Sequence, residues 1–259
     1  MADMVRSAFG DFLRSRREKL EPKAAGLPNG ARRRTPGLRR QEVAELAGIG
    51  IDWYIRLEQG RAVRPSAATL DALARALRLN EAERAHLRAL ASPDDRPAFA
   101  REAVPDTLRR IIERLDQPAY ITGRRWDVLA WNDAACALLT DFGQVAEQDR
   151  NILMYVLTDP DARRVFGSGW SGQAARMVAQ FRAMHDLWAG DPAFMGLALT
   201  LRERSPDFVR WWDAHGIGSA VATGEKTLVH PSDGPVRYEY ATFQANDDPA
   251  LRLAIYIPV

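Results

Sequence analysis

A single cysteine, Cys136, in 259 residues excludes an internal disulfide framework and cannot complete a cysteine-rich metal site. No run of eighteen apolar residues is present to span a bilayer. The opening stretch MADMVRSAFGDFLRSRREKL carries charge where a secretory signal would need an apolar core. Together these absences predict a cytoplasmic chain in a reducing compartment, with no membrane partner. Strong overall charge is also missing, with 36 basic against 34 acidic residues and a net of +2. The four histidines, His86, His185, His215 and His230, lack metal-ligand spacing, and no paired acids or nucleophile elbow stand out. No catalytic residue, metal or cofactor is therefore assigned. What remains is an ordinary hydrophobic fraction of 46%, enough for two domains that each bury a core.

The near-neutral total hides an asymmetry. Residues 1–64 hold 14 lysines and arginines against 8 acids, whereas the remainder holds 22 against 26. Within the basic end lies RQEVAELAGIGIDWYIRLEQ, Arg40–Gln59. Val43, Ala47, Ile49, Tyr54 and Leu57 are spaced as the inward faces of two short helices. Ala44, fifth in this frame, is small where the helices would touch. Gly48, ninth, supplies a tight connection without a Cβ. A helix-turn-helix that enters the major groove of DNA is built this way. Phe9, Phe12, Leu13 and Leu20 predict an opening helix, and Thr35–Pro36 reads as the start of the second. The recognition helix is expected from Ile51 to Gln59, stopped by Gly60. Ser66 caps a fourth helix, and Asn80 with Glu83 opens a fifth.

Residues at the start of the recognition helix reach base edges, which nominates Ile51, Asp52, Trp53 and Arg56. Arg56 suits bidentate readout of guanine. Asp52 either caps the helix or accepts from a cytosine amine, and Ile51 either packs or meets a thymine methyl. Trp53 is divided between the module and the DNA backbone. Arg39, Arg40 and Gln41 at the start of helix two, with Arg61 and Arg64 after helix three, are placed to hold phosphate. Arg32, Arg33 and Arg34 form either a solvated loop or an arm along the duplex. The expected partner is a palindromic double-stranded operator, bound by a homodimer whose recognition helices lie about 34 Å apart.

Residues 91–106, ASPDDRPAFAREAVPD, hold three prolines and little periodicity, dividing a DNA-binding domain (1–91) from a second domain (107–259) through a linker (92–106). The second domain opens with an amphipathic helix through Leu108, Ile111, Ile112 and Leu115. Strands at 119–122 and 126–130 are expected to turn through Gly123–Arg125. Asn132 caps a helix that turns Ala135, Cys136 and Leu139 inward. Helices fill the middle, and strict alternation from Val236 to Phe243 and from Leu251 to Ile257 marks terminal strands. With Thr227–His230, these order as a five-stranded antiparallel sheet with helices on one face, a PAS-like α+β arrangement behind an all-α five-helix head. Gly167–Gly172 satisfies GxGxxG but lacks the preceding buried strand that nucleotide binding requires.

Residues 6–91 resemble the lambda-repressor-like domains of Cro/C1 or XRE type. The segments "GARRRTPGLRRQEVAELAGI", "YIRLEQGR", "WNDAACALL", "SPDFVRWWDAHGI" and "HPSDG" followed by "RYEYATF" resemble the MmyB-like transcription regulators over almost the whole chain. The first resemblance implies that Glu58 pairs with Arg14 or Arg17 as scaffold. The second implies a one-component regulator with a PAS-like pocket for a small hydrophobic ligand, a fatty acid among the candidates. Trp126, Trp131, Met177, Phe181, Met184, Trp188, Phe208 and Tyr240 are the residue types to line such a cavity. Two rivals are a second domain that serves only for dimerisation or partner docking, and an enzyme working near His215 or His230.

Overall fold

The computed structural model describes residues 2–27, 37–61, 65–91, 98–218 and 223–259. It forms two compact units. One comprises Met1–Ala98 with Arg182–Met195, the other Phe99–Phe181 with Gly196–Val259. No described helix is long and apolar enough to cross a membrane.

The first unit contains α1 (Ala2–Lys19), α2 (Arg40–Ala47), α3 (Ile51–Glu58), α4 (Ala67–Ala76) and α5 (Glu81–Ala91). Phe9, Phe12 and Leu13 of α1 are buried, as are Val43, Tyr54, Leu57, Leu73 and Leu87 on the other four helices. The α2–α3 corner is made by Gly48, whose φ of 65° is left-handed, a conformation that strains any residue with a Cβ. Gly60, also at positive φ, closes α3, with its N–H bonded to the Leu57 carbonyl and that of Arg61 to Arg56. Ser66 Oγ accepts from the Thr69 N–H at the start of α4. Asn80 and Glu83 cap each other's backbones at α5, at 2.9 and 3.0 Å.

The expected start of the second helix is corrected. Thr35 and Pro36 lie outside the described residues, and α2 begins only at Arg40. The backbone before it is held extended because Leu38 is fully buried and donates its N–H to the Arg17 carbonyl at 2.9 Å. Glu42 then accepts the Arg39 N–H at 2.7 Å, so the helix opens there.

Arg182–Met195 adds a buried acid to this unit. Asp186 lies 3.3 Å from His86 Nε2, whose ring meets Phe12 edge-on. Burial raises the Asp186 pKa, but hydrogen bonds from His185 and His86 and the charge of Arg182 outweigh it and hold the carboxyl at about 2. A depressed carboxyl stabilises the fold at pH above its unfolded value and stops doing so as pH falls through the folded one. Unfolding free energy is therefore expected to drop by about 2 kcal/mol between pH 4 and 2 through this group. Asp186→Asn should flatten that limb in urea titrations at stepped pH, and an unchanged limb would refute the assignment.

The second unit is built on an antiparallel sheet of order β2-β1-β5-β4-β3, with β1 Ala119–Thr122, β2 Val128–Trp131, β3 Thr223–His230, β4 Gly234–Gln244 and β5 Arg252–Pro258. Its helices are α6 (Asp106–Glu113), α7 (Asp133–Leu138), α8 (Ile152–Thr158), α9 (Pro160–Phe166), the first part of α10 (Trp170–Leu187), most of α11 (Pro192–Arg204) and α12 (Pro206–Asp213). β2 starts two residues later than its composition suggests. Trp126 has a φ of 71° and belongs to the turn, closed by its N–H to the Gly123 carbonyl at 3.0 Å.

Both sheet faces are covered, not one. Leu108, Ile112 and Leu115, on and just beyond α6, pack against Ala119, Ile121, Ala130, Leu253 and Ile255 on one side. The alternation Leu251, Leu253, Ile255 faces this helix, so the opposite parity of β5, Arg252–Ala254–Tyr256, serves the other face. Asn132 pins α7 to the sheet. Its Oδ1 accepts the N–H groups of Ala119 and Ala135, and its Nδ2 donates to the Leu115 and Gln117 carbonyls. Cys136, expected inward, is only half-buried, because the helix is short and turns Ala135 and Leu138 to the core instead.

Candidate functional site

The surface of the first unit is set by what anchors α3. Glu58, at its last turn, has a carboxylate with no exposure. Arg17 of α1 donates to both its oxygens at 2.9 Å, Arg40 of α2 donates at 2.9 Å, and Arg14 Nε lies 3.6 Å away. Arg17 also donates to the Leu38 carbonyl at 3.0 Å. Burial would raise the Glu58 pKa, yet the hydrogen bonds from Arg17 and then Arg40 outweigh it and hold the carboxyl below its usual range. One acid thus joins three helices, and α3 cannot rotate without breaking a buried ion pair.

With its inner face held by Tyr54, Leu57 and Glu58, α3 presents Ile51, Asp52 and Arg56 to solvent and leaves Trp53 and Ile55 half-buried. Asp52 and Arg56 share one side by their i, i+4 spacing. The capping role weighed for Asp52 is not observed. Gly50 is the N-cap and no side chain bonds there, because Asp52 is the second residue of the helix and not the residue preceding it, from which a side chain reaches the open amides. Arg39 and Gln41 are exposed at the start of α2, with Gln41 donating to Glu45 at 2.8 Å. Arg40 is half-exposed but turned onto Glu58, which gives it a scaffold role beside any phosphate contact. Arg61 is exposed after α3. Arg32, Arg33, Arg34 and Arg64 lie outside the described residues.

The second unit holds a cavity of about 140 Å³ between the sheet and α8–α10. The sheet supplies Tyr120 and Thr122 from β1, Lys226 from β3, Tyr240 and Thr242 from β4, and Arg252, Ala254 and Tyr256 from β5. Their strand register explains the grouping. Tyr120 pairs with Ala254 and Thr122 with Arg252, while Tyr240 pairs with Tyr256 and Thr242 with Ala254. Gly224 pairs with Tyr240, and a Cβ there would press on the tyrosine ring. Ile152, Val156, Phe166, Gln173, Arg176, Met177 and Gln180 close the helical side, with Trp126 from the turn.

Of the eight ligand-site residues named from the sequence, the structure brings Trp126, Met177 and Tyr240 to this cavity. Phe181 is fully buried against Trp126 and Trp212, and Phe208 is stacked on Trp212. Trp131 packs on Phe142 and under Arg150. Met184 and Trp188 fall in the first unit, where Trp188 stacks on Phe194. The helical spacing 177–181–184–188 was a guide to burial rather than to one lining. Of the residues it missed, Arg252 had one signal, a lone cation in a strand whose other positions are apolar or aromatic, while Lys226, in a mixed polar strand, had none. Of the two histidines considered for chemistry, His230 bonds locally to Ser232 at 2.9 Å. His215 sits in the turn after α12 at a φ of 50°.

Residues 8–87 match a helix-turn-helix domain, and residues 104–259 match the MmyB-like transcription regulator ligand binding domain. The chain belongs to the MmyB-like transcription regulators. No curated protein matches it. In this MmyB-like regulator the helix-turn-helix is α2–α3, and the cavity lies wholly within the matched ligand-binding region.

Proposed function

We propose that this regulator reads a palindromic operator as a homodimer and that a small hydrophobic ligand in the second unit tunes its DNA affinity. The observation that carries this reading is the outward face of α3. Ile51, Asp52 and Arg56 are exposed on a helix otherwise clamped by buried residues, which is how a recognition helix is held against base pairs. Phe243, Ile257 and Val259, each about half exposed on β4 and the end of the chain, are apolar side chains that pairing would cover. A ligand preferring one state of the pair shifts operator affinity by no more than its differential affinity for the two states. Neither reacting group nor cofactor is required for this activity.

Selection from a random duplex library with the full chain tests the reading. Two half-sites one duplex turn apart, about 10 base pairs, are expected. Repeating the selection with the small-molecule extract of the producing cells should change operator affinity; indifference would leave a regulator without a ligand. Arg56→Ala is expected to cost about 1–3 kcal/mol on the selected site and to relax one base position. Fluorescence anisotropy on the selected duplex and its single-base variants measures both. Retention of full sequence preference would remove α3 from the reading role.

A further inference from the structure

The cavity lining is unbalanced in charge. Arg252 and Lys226 reach it from the sheet and Arg176 from its rim, yet no aspartate or glutamate lines it. Arg252 has no carboxylate partner among the described residues, and its nearest charged influence is another cation, Arg124. Burial and that neighbour both push the guanidinium pKa down, a penalty that a bound anion would offset. Lys226 Nζ lies 4.0 Å from the centre of the Tyr240 ring and 5.4 Å from that of Tyr256, so it is held by π-faces and not by an acid.

The sheet side of the lining is rich in tyrosine. Tyr256 stacks with Tyr120 and tilts against Tyr240, each pair 6.2 Å between ring centres. A volume of about 140 Å³ is close to that of apolar cavities that accept a single benzene ring, about 150 Å³. It is below the range of about 300–1,000 Å³ for drug-sized ligands.

We infer that the cavity binds a compact aromatic carboxylate, its acid on Arg252 and its ring among Tyr120, Tyr240 and Tyr256. This rests on the proposal that the second unit senses a ligand, and it names that ligand's class. Two features are read separately. The unmatched cation selects for an anion, because a neutral ligand would leave Arg252 half-buried and without a countercharge. The small volume suits a single ring.

Titration calorimetry of the full chain with benzoate, benzyl alcohol and hexadecanoate tests this. Benzoate should bind saturably, at least tenfold more tightly than benzyl alcohol. Arg252→Met should weaken benzoate at least tenfold and leave benzyl alcohol unchanged, while Arg252→Lys should recover part of the loss. Arg252→Gln gives a second reading if Arg252→Met does not fold, again with benzoate weakened selectively. Equal binding of benzoate and benzyl alcohol, or no effect of either variant, overturns the anion assignment. Tighter binding of hexadecanoate than benzoate overturns the compact-ring assignment. Failure of all three compounds overturns the class, whereas the ligand-sensing reading falls only if the cell extract also leaves operator affinity unchanged.

Discussion

Glu58→Gln should destabilise the helix-turn-helix unit by about 3–5 kcal/mol, the cost of removing one partner from a buried ion pair. The carboxylate has no exposure and receives Arg17 through two 2.9 Å hydrogen bonds and Arg40 through a third. Glutamine keeps the shape and one acceptor oxygen but carries no charge, so the guanidinium of Arg17, itself buried, is left with only the half-exposed carboxylate of Glu18 at 3.1 Å. Removing the charge from both sides is a different experiment. The double substitution Glu58→Leu with Arg17→Met should recover much of the loss, since well-packed apolar replacements of buried ion pairs are often neutral. Because Glu58 has its pKa lowered on folding, its contribution is complete above the unfolded carboxyl value and disappears as pH falls through the folded one. Guanidinium titrations at neutral pH and near pH 3 should therefore separate wild type from Glu58→Gln more widely at the first than at the second. A loss below about 1 kcal/mol at neutral pH would mean that α3 is held by its apolar face alone.

Asn132→Leu is the second large effect expected, about 4 kcal/mol, and it acts on the ligand-binding unit. Four backbone groups lose their partner at once: the N–H of Ala119 and Ala135 and the carbonyls of Leu115 and Gln117. A buried backbone group left unpaired costs about 1–3 kcal/mol, and leucine's apolar gain offsets only part of the total. Asn132→Asp separates the two roles, because it keeps the acceptor for the N-cap of α7 and loses both donors. It should fall between wild type and Asn132→Leu in chemical denaturation. Hydrogen exchange gives the local reading, since the Ala119 amide should lose protection in Asn132→Leu and retain it in Asn132→Asp. Equal stabilities for the two variants would show that the acceptor oxygen contributes nothing.

Both residues show how far local pattern carries. The caps Ser66, Asn80, Asn132 and Ser205 act on amides three residues ahead, within one turn, so spacing along the chain exposes them. Glu58 was legible only through family resemblance, as its partners stand 18 and 41 residues away. The further bonds of Asn132, across 13 to 17 residues, had no trace in the periodicity. Thr35–Pro36 misled for a related reason. The local preference for a helix start was overridden by Leu38 docking on the end of α1.

By itself the chain determined the periods of its helices and strands, the corner at Gly48, and the basic charge gathered on the helix-turn-helix end, because each follows from residues within a few positions of one another. Tertiary structure alone decided which side of β5 meets α6 and which meets the cavity, since Leu253 and Ile255 on one parity and Ala254 and Tyr256 on the other are both apolar enough to be buried. It also decided that Arg252 and Lys226, far apart in sequence, share one small space. Alternation fixes which residues lie together on a strand, but only the neighbours on either side fix the direction in which that set points.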